Sequence, residues 1–226
     1  MLMNGNKFTT GLKVLAAIIT AGFLLGACGG SAEKKTTTSP ALTIKGVSGA
    51  MVDMTGTWTR PCMVIPGSTY WEISTVLIAG NTFTYGKNFF FTDQTTGGCT
   101  APADYTVTGA GSATLGVEGT AGWVTGGATL PAHLVSAIAT EATVTMTQLD
   151  ITPLTTIAVT SLQTAGYCGY AGWALNTPYS ILGTSCEPLS TKYWVMDDTV
   201  VPMNWYIGET ATAWAVPLPA PRVKQP

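Results

Sequence analysis

Four cysteines in the body of this 226-residue sequence could form disulfides or bind a metal ion. They are Cys62, Cys99, Cys168 and Cys186. Structural zinc sites use closely spaced pairs such as C-x-x-C together with histidines, but no such pair occurs here and His133 is the single histidine. The spacing therefore favours disulfides and no metal site. Of the three pairings, we favour Cys62–Cys99 and Cys168–Cys186, because each pair brackets a segment with the pattern of a hairpin.

The single histidine is the natural starting point for any catalytic hypothesis. Ser136 follows His133 by three residues, and Asp150 or Glu141 could complete a triad. Serine catalysis needs a hydroxyl held against its base, as in the G-x-S-x-G turn, and the sequence has no such motif. We interpret His133 as a structural residue and expect a non-enzymatic protein without catalytic residues. A secreted hydrolase is the least favoured hypothesis.

Binding of nucleotides, nucleic acids or cofactors is also not predicted. Glycine-rich phosphate-binding motifs are absent, and a net charge of −2 offers no basic surface to a nucleic-acid backbone. Asp197 and Asp198 form the one adjacent carboxylate pair of interest. Because neighbouring residues of a strand point to opposite faces, we interpret this pair as a solvated turn rather than a catalytic or calcium-binding site.

The N-terminal residues have the pattern of an export signal. Lys7 and Lys13 accompany a short apolar run at residues 14–25, which leads into Leu24-Leu25-Gly26-Ala27-Cys28. About twelve apolar residues are too few to cross a bilayer as a helix but are typical of a secretory signal. The last five residues resemble the lipobox of bacterial lipoproteins. This resemblance implies a signal peptide at residues 1–27 and attachment of lipid to the Cys28 thiol.

Such a lipoprotein would have the membrane as its first partner. Two or three acyl chains anchor a protein stably, and we expect it in the cell envelope. Gly29 follows Cys28, where an Asp would resemble an inner-membrane retention signal, so we expect the outer membrane in an organism that has one. Residues 28–45 are rich in Ser, Thr, Lys and Gly and are predicted to be a flexible tether. An exported, oxidising location agrees with the predicted disulfides.

The elements that must position these residues are predicted to be β-strands. Charged residues make up only 10% of the chain, against about a quarter in an average domain, and glycine, proline and threonine are abundant. Alternating β-branched and aromatic residues, with turn signals such as Gly80-Asn81, indicate hairpins. The pattern predicts an all-β fold, an antiparallel up-and-down β-barrel of about 8–10 strands with one short helix. The predicted strands are residues 52–59, 69–79, 82–91, 104–108, 142–151, 156–162, 169–175, 192–197, 203–207 and 212–216.

Two further segments lie between the predicted strands. Residues 109–127 are a stretch of low complexity in Gly, Ala and Thr, which we interpret as loops with a weak strand at 122–125. Residues 131–139 give the predicted helix, because Pro131 suits a first turn and Leu134 and Ile138 share one face. A helix this short is not stable alone, so we expect it to pack on the sheet or to close one end of the barrel.

Several motifs resemble one family of β-barrels. Gly56-Thr57-Trp58 resembles the G-x-W of lipocalins and of lipocalin-like bacterial lipoproteins, in which the tryptophan packs across the closed base of the barrel. Cys62, the T-F-T strand at residues 82–84 and Cys99 follow in an order similar to that of these lipoproteins. The C-G-x-x-x-W element at residues 168–173 is similar to theirs as well.

The resemblance covers residues 52–207 and implies a lipocalin-like barrel domain. We place this domain at residues 46–216, followed by a proline-rich tail at 217–226. The sequence departs from lipocalins in two respects. They often carry a T-D-Y-like segment late in the barrel, whereas Asp104-Tyr105 comes early in this chain. They carry an arginine late in the barrel that packs over the tryptophan, and this chain has no arginine between Arg60 and Arg222.

The positions of the tryptophan and tyrosine side chains distinguish two hypotheses for the function. They are candidates for a packed core, which is common in small barrels, or for the walls of a ligand cavity. An apolar cavity of roughly several hundred Å³ would favour an envelope lipoprotein that binds a small hydrophobic ligand. A fully packed interior would favour a structural lipoprotein that interacts with another envelope protein. The residues concerned are Trp58, Trp71, Tyr85, Trp173, Trp194 and Trp205.

Overall fold

The computed structural model describes residues 41–65, 70–91, 98–99, 102–122, 131–208 and 221–226. The predicted signal peptide, Cys28 and residues 28–40 of the predicted tether lie outside this range. The strand predicted at 212–216 also lies outside it, as does most of the weak strand predicted at 122–125.

Eight antiparallel strands of the described chain close into a barrel. Each barrel strand pairs with the next along the chain, β6 pairs with β7, and β11 pairs with β3 to complete the ring. The predicted fold class, an all-β up-and-down barrel of the lipocalin type, is thereby confirmed. The barrel strands are β3 to β7 and β9 to β11, and the full set is β1 Thr43–Lys45, β2 Met51–Asp53, β3 Gly56–Val64, β4 Trp71–Ala79, β5 Thr82–Phe90, β6 Tyr105–Thr120, β7 Ile138–Pro153, β8 Tyr179–Ser180, β9 Thr191–Asp197, β10 Asn204–Gly208 and β11 Arg222–Lys224.

Strand β4 illustrates why these residues form a barrel wall. Its buried positions alternate with less buried ones, so that Val76 and Ile78 face the interior while Leu77 faces outward. A period of two with β-branched residues is the pattern of a strand that is buried on one face. The turn to β5 is the predicted Gly80-Asn81, where Gly80 has a φ of +61°, a conformation that glycine adopts without strain.

The prediction of loops was wrong for residues 109–120, because β6 continues to Thr120; residues 123–127 lie outside the described residues. Gly109 and Gly111 are not turn signals but small inward positions. A Cβ on Gly109 would lie 2.4 Å from Cε1 of Tyr85, and a Cβ on Gly111 would lie 3.0 Å from Cζ of Phe83. The aromatic rings of β5 occupy the space that these glycines leave free.

The position of the helix was also predicted wrongly. Residues 131–139 form only a 3₁₀ turn at Ala132–Leu134 before β7 begins at Ile138. The α-helix, α1, is Thr156–Thr164, where a strand was predicted from the β-branched residues. Thr155 caps α1, since its Oγ1 accepts a hydrogen bond of 3.1 Å from the Ala158 amide. The buried residues Ala158 and Leu162 are four positions apart, on one face of the helix.

The strand predicted at residues 169–175 does not form either. Cys168 and Gly169 have φ values of +56° and +71°, which no strand accommodates. They lie in a 3₁₀ turn, and the chain that follows is irregular.

Both favoured disulfides are confirmed. Cys62 and Cys99 are bonded with a Cα–Cα distance of 5.7 Å, and Cys168 and Cys186 with a distance of 5.2 Å. The second bridge joins the turn after α1 to the segment before β9.

The two ends of the barrel are covered by different elements. At the end where Trp58 lies, Leu42 and Ile44 of the β1–β2 hairpin join the same buried cluster as Trp58 and Ile78. Residues 42–45, which were predicted as part of the tether, therefore belong to the folded domain. At the other end, α1, Trp173 and Ile181 pack against Phe89 and Ile151. The predicted tail contributes β11, which closes the ring between β10 and β3.

Candidate ligand cavity

A cavity of about 350 Å³ lies inside the barrel. Its apolar wall is formed by inward residues of β4, β5, β7 and β10 together with one residue of the segment before β1. This volume lies within the range of about 300–1,000 Å³ that is usual for small-molecule sites. The apolar residues in the wall are Leu42, Val76, Ile78, Phe83, Val144, Met146 and Ile207.

Three of the six predicted aromatic residues line this cavity: Tyr85, Trp194 and Trp205. The ring centroids of Trp194 and Trp205 are 5.0 Å apart in an edge-to-face arrangement. Trp58 packs against Trp205 at 5.6 Å and is fully buried, and its Nε1 donates a hydrogen bond of 2.8 Å to the Met54 carbonyl. These three tryptophans therefore form a packed cluster, and two of them, Trp194 and Trp205, also line the cavity.

The other two tryptophans lie elsewhere. Trp173 is buried at the opposite end of the barrel, in contact with Tyr170 and Tyr179. Trp71 is the half-buried first residue of β4, paired in register with Val64 and Phe90. Neither is among the residues that line the cavity.

Lys224 lies over the Trp58 ring, in the position that the resemblance to lipocalins assigns to an arginine. The Nζ of Lys224 lies 5.5 Å from the centroid of the Trp58 ring, a distance typical of a cation–π contact. Arg222, two residues earlier on β11, lies in the same way over Trp205 at 5.5 Å.

The cavity wall is rich in positive charge. Four of the described lining residues are basic, namely Arg60, Lys87, Lys192 and Arg222, and none is acidic. The buried Glu72, next to the cavity on β4, lies 3.4 Å from Nη1 of Arg60 and 3.7 Å from Nζ of Lys87. The Glu72 carboxylate is thus the counter-ion of two of the four cations, Arg60 and Lys87.

Burial changes the acid–base behaviour of these groups. Desolvation, with the charge of Arg60 as the next cause, lowers the pKa of Arg222 to about 9, so the guanidinium is still charged at neutral pH. Desolvation also lowers the pKa of Lys87, and the nearby Glu72 carboxylate opposes that change. Burial raises the pKa of Tyr85 to about 12, so its phenol is neutral. A cationic wall in a desolvated cavity attracts an anion more strongly than the same charges in water.

These cations were missed at the level of sequence, although a signal was present for two of them. Arg60 follows Trp58 by two residues and Lys87 follows Tyr85 by two residues, so the period of a strand places each on the inward face. Arg222 had no such signal, because it falls in the segment predicted as a tail.

The single histidine lies outside the barrel cavity. Its Nε2 is 3.1 Å from Oδ2 of the buried Asp197, whose other oxygen accepts a hydrogen bond of 2.6 Å from Oγ1 of Thr199. Asp198 instead accepts a hydrogen bond of 2.8 Å from the Ser48 amide. The two adjacent carboxylates therefore have separate partners, and Asp197 ends β9 rather than forming a solvated turn.

Comparison with known proteins gives no relative from which a function could be transferred. No protein-family model matches the chain, and no curated protein is similar to it in sequence. Within the described residues, no group of three or more His, Cys, Asp or Glu side chains is placed to hold a metal ion. None of the described helices has the length and apolar character needed to cross a membrane.

Proposed function

We propose that this chain is a lipid-anchored protein of the cell envelope whose barrel binds a small hydrophobic molecule. The observation that carries the proposal is the cavity of about 350 Å³, with its apolar wall inside the closed ring of strands. Burial of apolar ligand surface in such a space contributes about 25 cal/mol per Å². A barrel packed to native density would leave no comparable space, so the cavity favours ligand binding over a purely structural role.

The proposed anchor rests on the sequence around Cys28. Twelve residues separate Cys28 from Ala41, the first described residue. At roughly 3.5 Å per residue, such a segment extends to at most about 45 Å. A lipid on Cys28 would therefore keep the barrel close to a bilayer, which is the main source of small amphiphiles in an envelope.

A binding role, rather than a catalytic one, is supported by the chemistry of the cavity wall. The described lining residues include no histidine, cysteine or carboxylate, and the amine of Lys87 is in an ion pair with Glu72. They offer apolar contact and positive charge, which bind and orient a ligand.

Native mass spectrometry tests the proposal. Protein purified from the producing cells without organic extraction should carry a bound molecule of low mass. Val144→Trp should remove that molecule, because Val144 lines the cavity and the indole would fill it. Thr143→Trp is the matched control, since the neighbouring Thr143 is exposed on the outer face of β7. Thermal unfolding of both variants separates loss of ligand from loss of fold.

Two results would contradict the proposal. In the first, the wild-type protein carries no bound molecule and also fails to bind an added apolar probe such as 1-octanol. In the second, Val144→Trp folds but retains the ligand, which would place the binding site outside the barrel.

A further inference from the structure

Four residues with a buried polar side-chain group follow one another in register on four neighbouring strands. Trp205 of β10 pairs with Arg222 of β11, and Arg60 of β3 pairs with Ser74 of β4. The register between β11 and β3 places Arg222 beside Arg60. We name these four residues the donor row. Three of them, all except Ser74, line the cavity.

Every member of the donor row has a buried polar group without a hydrogen-bond partner in the described chain. These groups are Nε of Arg60, Nε of Arg222, Nε1 of Trp205 and Oγ of Ser74. The exposed fraction is 6% for Arg222, 3% for Trp205 and 1% for Ser74. Nearly all buried polar groups of native proteins have a partner. The Nε groups of the two arginines and of Trp205 can only donate, and the Ser74 hydroxyl can also donate, so a ligand that pairs with all four must supply hydrogen-bond acceptors.

The charges around the donor row are also unbalanced. Glu72 pairs with Arg60 and Lys87, whereas Arg222 forms no ion pair with any described carboxylate and lies over the Trp205 ring instead. The charge of Glu72 also acts on Arg222, so one carboxylate is shared among three cations in a desolvated cavity, which is unfavourable. The donor row is therefore complementary to a hydrogen-bond acceptor that is also negatively charged.

On β4 and β5, the apolar residues of the wall lie on one side of the donor row. Along β4 and β5, the inward residues towards the β1–β2 hairpin are Val76, Ile78, Tyr85 and Phe83. Leu42, just before β1, lines the same region. Along these two strands, the wall is thus apolar towards the hairpin, and the cations Arg60 and Lys87 lie at or beside the donor row.

We propose that the ligand is a small amphipathic anion, whose carboxylate binds at the donor row and whose apolar body extends towards the β1–β2 hairpin. This inference rests on the proposed function and specifies the class of its ligand. A carboxylate has two oxygens that can accept about four hydrogen bonds, and guanidinium groups bind it in a bidentate manner. An uncharged apolar ligand would leave the donors unpaired, and a cationic one would be repelled by Arg222 and its neighbours.

Isothermal titration calorimetry with four simple probes tests this inference. The protein is the whole exported chain carrying Cys28→Ser, so that no acyl chain competes for the cavity. The probes are octanoate, 1-octanol, octyltrimethylammonium and acetate. We expect octanoate to bind at least about tenfold more tightly than 1-octanol, because charge-assisted hydrogen bonds are the strong ones. Octyltrimethylammonium should bind more weakly than 1-octanol, and acetate should give no measurable heat.

Arg222→Met tests the donor row directly, because methionine keeps part of the side-chain volume and removes the charge. We expect the affinity for octanoate to fall at least about tenfold and the affinity for 1-octanol to change by less than about twofold. Replacing a buried unpaired charge by an apolar residue is often neutral for stability, which the unfolding temperature will check. Lys45→Met, on the β1–β2 hairpin and outside the cavity lining, is the control of equal charge change and should leave both affinities unaltered.

The outcomes separate this inference from the proposed function. Equal affinity for octanoate and 1-octanol would overturn the anionic head group and leave the hydrophobic cavity standing. Acetate binding as tightly as octanoate would overturn the role of the apolar body. Failure of every probe would contradict both proposals. The four probes are compared on the protein without a cavity substitution, so these outcomes can be distinguished even if Arg222→Met does not fold.

Discussion

At the scale of single residues, Tyr85 links the packing of the barrel to its pH dependence. The phenol lies in the cavity wall, and desolvation raises its pKa to about 12. In an unfolded chain a tyrosine ionises near pH 10. Above that pH the unfolded state loses the proton first, so the contribution of Tyr85 to stability is complete below pH 10 and declines as the pH approaches 12.

Tyr85→Phe should therefore flatten the loss of stability at alkaline pH. We expect the wild-type unfolding temperature to fall relative to that of the variant between pH 10 and 12, while the difference between the two stays constant from pH 7 to 9. Thermal unfolding by circular dichroism at stepped pH measures both curves. Parallel curves across the alkaline range would show that Tyr85 ionises as readily in the folded state as in the unfolded chain.

The cysteines and the G-x-W were predictable from sequence, and the cavity cations only in part. The disulfides depend on compartment and spacing, which the sequence contains. The role of Arg222 depends on β11 returning to pair with β3, a contact between residues more than 160 positions apart. No local pattern encodes such a contact.

At the scale of elements, the glycines of β6 determine how closely β5 and β7 approach. A Cβ on Gly111 would lie 2.4 Å from the Thr145 carbonyl oxygen of β7. This atom belongs to the backbone, so it cannot move without bending the strand. Gly86 of β5, in contrast, has no atom within 4 Å of the place where its Cβ would lie.

Gly111→Ala should therefore destabilise the barrel, while Gly86→Ala should not. We expect a loss of about 1–3 kcal/mol of unfolding free energy for Gly111→Ala, as for other overpacked sites. For Gly86→Ala we expect no change or a gain of about 0.4–1 kcal/mol from the reduced freedom of the unfolded chain. Urea unfolding of the two variants gives both values. Equal stability of the two variants would mean that β6 has room for side chains at Gly111.

The same features explain which elements could be predicted. Strands with β-branched residues at alternate positions, such as β4, were found together with their turns. The part of β6 beyond Thr108 was missed because its inward side chains are small and the aromatic side chains of β5 fill the space beside them. Helix α1 was mistaken for a strand because Thr156, Ile157 and Val159 are β-branched, and packing against the barrel end outweighs that preference.

At the scale of the whole molecule, most of the Lys and Arg side chains that the structure describes line the barrel cavity. Of the six in the described residues, four line the cavity. Cations placed at random in a charge-poor protein would lie on its surface, where water solvates them. Keeping them in a desolvated cavity is costly, and this cost is offset when a ligand supplies the opposite charge.

Cys28→Ser should release the whole molecule from membranes. With the hydroxyl in place of the thiol, no lipid can be attached, and the apolar attraction of about 0.8 kcal/mol per buried CH₂ is lost. Fractionation of cells, followed by detection of the protein in the membrane and supernatant fractions, measures the effect. A variant that stays in the membrane fraction would disprove anchoring through Cys28.

The most direct test of the account is a crystal structure of the barrel with 8-bromooctanoate, in which the bromine marks the apolar end. We expect an anomalous bromine peak near Phe83 and Ile78, with the carboxylate of the ligand in contact with Arg222 and Arg60. A bromine peak at the donor row with the carboxylate towards the β1–β2 hairpin, or a cavity without ligand at saturating concentration, would contradict it.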